Sequence, residues 1–85
     1  MKLLWDFFGP DAERTATHFE KHLTQFLTNN GHSELPRGTE SAGSGHHAAY
    51  CIVPEALLEP MKRALRPNRV LPDAAALEEA SISNG

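Results

Sequence analysis

Residues 2–9, KLLWDFFG, run into residues 10–31, PDAERTATHFEKHLTQFLTNNG, and the reading of this stretch decides the fold. In the first segment Leu3, Trp5 and Phe7 alternate with Leu4, Asp6 and Phe8, and aromatic side chains favour a pleated, half-buried surface, so a strand is expected. Both of its faces are apolar apart from Asp6. Such a strand needs cover on two sides, which in a short chain places the chain's own helices on one side and a partner on the other.

The second segment carries the marks of an amphipathic helix. Gly9 offers an N-cap, Pro10 suits a first helical position, and Asp11 with Glu13 sets negative charge where the helix dipole favours it. Ala12, Ala16, Phe19, Leu23, Phe26 and Leu27 recur at spacings of three and four and form one stripe, with Arg14, Lys21 and Gln25 away from it. Gly31 closes the run as a left-handed cap.

Beyond it, Gly31, Gly38, Gly43 and Gly45 stand among Ser, Thr, Glu and Pro36, which predicts a loop and one edge strand over 37–42. The stretch 46–53, HHAAYCIV, reads as a further strand, joined to the edge strand over 37–42 by a hairpin turn at Gly43-Ser44-Gly45. Leu57, Leu58, Met61, Ala64 and Leu65 share a helical face, but Pro60 disfavours helix at Glu59, so a short turn followed by a helix over 60–66 is expected. Pro67 stops that helix and 68–71 supply a brief final strand.

The resulting order predicts an α+β fold, a small two-layer sandwich with ferredoxin-like β-α-β-β-α(-β) order and an antiparallel sheet covered by two helices on one face. Residues 1–71 form the single compact domain, and 72–85 an acidic, largely flexible C-terminal tail. All 8 Lys and Arg lie within 1–71 with all but three of the 11 acidic residues, so the net charge of −3 resides in Asp73, Glu78 and Glu79. With 85 residues the core is marginal, burying roughly 60–65% of the unfolded chain's surface, and oligomerisation would relieve that.

Composition removes several classes. A single cysteine, Cys51, excludes an internal disulfide framework and fits a reducing compartment. No apolar run approaches the roughly 18 residues of a membrane span and no secretory signal is visible, so a cytoplasmic protein without a membrane partner is expected. Lys62, Arg63, Arg66 and Arg69 gather positive charge, yet they lie amid Glu55 and Glu59 and complement a helix C-terminus. Trp5, Phe7 and Phe8 would suit base stacking, but no Lys or Arg is interleaved with them and core burial explains them, so no nucleic-acid partner is expected.

Chemistry is sparsely marked. No serine sits in a Gly-x-Ser-x-Gly elbow, the glycines around Ser44 lack the Lys-Ser/Thr ending of a phosphate loop, and no nucleophile has a visible base. Asp6 and Asp11 flank the strand-to-helix turn and could share a proton. Helix polarity accounts for Asp11, and a bond to a neighbouring strand or partner for Asp6. The Gly-rich stretch 31–45 could border a small pocket against the sheet. His18 and His22 stand one helical turn apart, a spacing that lets two imidazoles meet one transition metal, with Asp11 or His32 as a third ligand. The alternative is an ordinary surface pair. His46 and His47 point to opposite faces of a strand, and Cys51 lies too far from His47 for a thiolate–imidazole pair and reads as a core residue.

The expectation is therefore a non-enzymatic interaction or regulatory module, homodimeric, with no resident cofactor. Leu4, Asp6, Phe8, Tyr50 and Ile52 are the expected interface, and a metal-binding accessory protein using His18, His22 and Asp11 is the alternative.

Overall fold

The computed structural model describes residues 1–72, so all but the first residue of the expected acidic tail lies outside the described residues. The elements run β1 (Lys2–Phe8), α1 (Ala12–Asn29), β2 (Arg37–Gly43), β3 (His46–Ile52), α2 (Glu55–Leu65) and β4 (Arg69–Leu71). The strands form one 4-stranded sheet in the order β2-β3-β1-β4, and every neighbouring pair is antiparallel. The result is a small α+β structure.

Alternation along β1 sorts its side chains. Leu3 and Trp5 join Leu23 and Leu27 of α1, Leu35, Ala49 and Cys51 of β3, Val53, and Met61 of α2 in one buried cluster. Phe7 packs beside it, with its ring 5.8 Å from Phe19, whose ring also lies 4.9 Å from Trp5. The stripe anticipated on α1 is the packed one, with Ala12, Ala16, Leu23 and Leu27 buried. Fully burying a Leu contributes about 1.5–3 kcal/mol, so Leu3, Leu23 and Leu27 bind α1 to the sheet more strongly than helix propensity does.

The start of α1 differs from expectation. Gly9 takes φ +105°, outside the range of an N-cap, and donates its N–H to the Gly45 carbonyl at 2.9 Å, so the β1–α1 turn is tied to the β2–β3 turn. Pro10 and Asp11 lie in the turn and the helix begins at Ala12. Its end follows the sequence signal: Gly31 has φ +77°, and the His32 N–H donates to the Leu27 carbonyl at 2.7 Å.

In α2 the expected helix over 60–66 is corrected to Glu55–Leu65, with Pro60 inside it. Proline withholds the N–H that would bond the Ala56 carbonyl. Ala56 and Pro60 are both on the exposed side of the helix, while Leu57, Leu58, Met61 and Leu65 pack on or against the core and hold the turn helical. Arg66 ends the helix in the left-handed region at φ 48°, and Pro67 follows.

Candidate functional site

The alternation that sends Leu3, Trp5 and Phe7 towards α1 sends Lys2, Leu4, Asp6 and Phe8 to the other face of the sheet. Register extends that face: Leu4 lies opposite Tyr50 on β3 and Arg69 on β4, Asp6 opposite Ala48, Phe8 opposite His46, and Lys2 opposite Ile52. The five residues expected at an interface, Leu4, Asp6, Phe8, Tyr50 and Ile52, therefore share one face. They differ in exposure. Leu4 is 1% exposed within the single chain, Tyr50 and Ile52 are half-buried, and Phe8 is 72% exposed.

Asp6 is the electrostatic centre of this face. Arg69 donates from Nε to Oδ2 at 2.9 Å and from Nη2 to Oδ1 at 2.7 Å, a two-point clasp, and His46 Nε2 lies 2.8 Å from Oδ1. The Asn68 side-chain oxygen accepts the Asp6 backbone N–H at 2.7 Å, and the Asn68 N–H donates to the Leu4 carbonyl at 2.8 Å, which fixes β4 alongside β1. The Asp6 side chain is 9% exposed. Hydrogen bonding to Arg69 first, and to His46 after it, holds its carboxyl below the ordinary value of 3.8 against the opposing effect of burial. The same bond raises the Arg69 guanidinium.

The imidazole that meets Asp6 also carries Phe8. The Phe8 and His46 rings stack with centroids 4.3 Å apart at 22°, so an exposed aromatic rests on the histidine that contacts Asp6. Further along the sheet Lys2 Nζ pairs with Glu40 Oε1 at 2.9 Å and lies 4.8 Å from the centre of the Tyr50 ring. Gly38, opposite Tyr50, leaves room for that ring: a Cβ there would stand 3.0 Å from its hydroxyl.

Asp6 and Asp11, read as a possible carboxylate pair, serve separate purposes. Asp6 is engaged by β3 and β4, and Asp11 is exposed ahead of α1. A hollow of about 430 Å³ lies between the β1–α1 turn and the β2–β3 turn, lined by Gly9, Pro10, Ser41, Gly43, His46 and His47 among others. Cys51 is fully buried, and burial pushes its thiol up to about 11 despite the nearby Arg37 charge.

His18 and His22 meet on the exposed side of α1, with their Nε2 atoms 3.1 Å apart. Asp11 and His18 line one groove of about 460 Å³, yet no three His, Cys, Asp or Glu side chains converge in a metal-binding group among the described residues. No helix among them is long and apolar enough to cross a membrane.

Comparison with protein-family models, curated proteins and solved structures returns no match to this chain.

The joining of Asp6 to Arg69 and His46 was not visible beforehand, because 63 residues separate Asp6 from Arg69 and only the β1–β4 register brings them together. One sequence signal does point that way. A carboxylate within an apolar strand needs a partner, and Arg69 stands in the segment expected to form the last strand.

Proposed function

We propose that this chain is a non-enzymatic interaction module of ferredoxin-like architecture, acting in the cytoplasm, that forms a homodimer through the sheet face turned away from α1. The observation that carries this reading is Phe8, a large aromatic exposed to water and stacked on His46 beside the Asp6–Arg69 clasp. Aromatic side chains seated in a polar surround are the usual anchors of protein interfaces. A two-fold axis near Phe8 would bury it against its own copy, since one patch then serves both subunits. Leu4 is already covered, so the contact centres on Phe8, with the half-buried Tyr50 and Ile52 further along the same face.

The strand order β2-β3-β1-β4 and the presence of Met61 in the same cluster as Leu23 support the ferredoxin-like reading, with both helices over one face. A protein surface suits this face better than nucleic acid, because Lys2 and Arg69 are each engaged by a carboxylate. The single buried cysteine fits a reducing compartment.

Sedimentation of the full chain tests the proposal. A dimer that becomes a monomer in Phe8→Asp, with helix and strand content unchanged, is the expected result. A wild-type chain that stays monomeric across the accessible concentration range overturns it.

A further inference from the structure

We propose that His18 and His22 form a two-histidine clamp for a late first-row divalent cation, Cu²⁺, Ni²⁺ or Zn²⁺, on the exposed side of α1. This goes beyond the sheet-face reading and does not depend on it. Spacing alone brings many helical histidine pairs near one another; here two ring nitrogens already stand at the separation a chelate requires. Their Nε2 atoms are 3.1 Å apart, and the rings meet edge-on at 68° with centroids 4.7 Å apart.

At that distance one Nε2 donates a proton and the other accepts it, and when that proton moves to Nδ1 of its own ring both Nε2 atoms hold a free lone pair. A cation with metal–nitrogen bonds of about 2.0–2.1 Å, and an angle between them of about 90–110°, sets its two nitrogens roughly 2.8–3.4 Å apart. The observed separation lies within that span. The cation sits to one side of the line joining the two nitrogens, so the rings turn to face it while the helix holds their spacing before the metal arrives.

Both histidines are exposed, so the cation keeps water in its remaining positions, consistent with the absence of a third protein ligand among the described residues. Neutral imidazole selects this class of metal over Mg²⁺ and Ca²⁺, which require oxygen, and Cu²⁺ binds most tightly of the set. The other histidines are placed differently: His32 lies past the end of α1 beside Phe26 and Pro60, His46 is taken by Asp6, and His47 lies opposite Phe7 on the face towards α1.

Titration of the full chain with ZnCl₂, followed by NMR of the five imidazoles, tests the site. Shifts saturating at one equivalent and confined to His18 and His22 are expected. His18→Ala and His22→Ala, each at an exposed position that leaves the fold intact by circular dichroism, should each weaken binding about tenfold or more through loss of the chelate. A parallel titration with CuSO₄ should give tighter binding at the same pair. MgCl₂ should leave all five imidazoles unmoved. Equal zinc affinity in either variant, or shifts spread over all five histidines or centred on His46 and His47, overturns the proposal.

Discussion

The indole Nε1 of Trp5 donates to the backbone carbonyl of Leu65 at 2.8 Å, so the middle of β1 holds the last turn of α2. Leu65 is the final residue of that helix, where carbonyls lack intrahelical partners, and Trp5 supplies one from 60 residues away.

Trp5→Phe should therefore cost more than its lost area. It leaves the Leu65 carbonyl without its donor, a loss of about 1–3 kcal/mol, and opens space in the core. Thermal unfolding should shift down by about 4–8 °C for each kcal/mol in a chain of this size.

Asp6 predicts the acid limb of stability. Its carboxyl is held below 3.8 in the folded chain, chiefly by Arg69. The stabilisation is fully present above the unfolded-state value and is lost as pH falls through the folded one. Wild type should lose stability steeply below about pH 4, whereas Asp6→Asn should be weaker at neutral pH and flatter in acid, so the two curves converge. Denaturant midpoints measured from neutral to acid pH check this, and parallel curves would contradict it.

Cys51 should be inert. With its thiol raised to about 11 and its side chain buried, almost no thiolate is present or accessible near neutral pH. Reaction with a thiol-specific disulfide reagent should be slow in the native protein and fast in denaturant.

Pro60→Ala should stabilise α2 by about 1–2 kcal/mol, since it restores the bond to the Ala56 carbonyl and removes the steric conflict, partly offset by a freer unfolded chain. Chemical denaturation reads the gain directly.

Much of the architecture was legible because it rests on local periodicity. The alternation of Leu3, Trp5 and Phe7, the stripe from Ala12 to Leu27, and Gly31 as a cap are each short-range signals. Misreadings arose where distant contacts prevailed over local preference. Pro60 is helical because Met61 and Leu57 are packed, and Gly9 bends away because Gly45 holds its N–H. The Asp6 clasp belongs to the same kind, being a product of register between β1, β3 and β4. The histidine pair on α1 was visible from spacing, while the 3.1 Å approach of its nitrogens depends on side-chain orientation.

The outer strand β2 slips register between Ser41 and Gly43, and it carries Arg37 and Glu40 with glycines at both ends of its run. A rim so kinked and charged is a poor template for further main-chain pairing. Copies of this chain are thereby steered away from stacking rim to rim into growing filaments, and concentrated solutions should remain clear of fibrils.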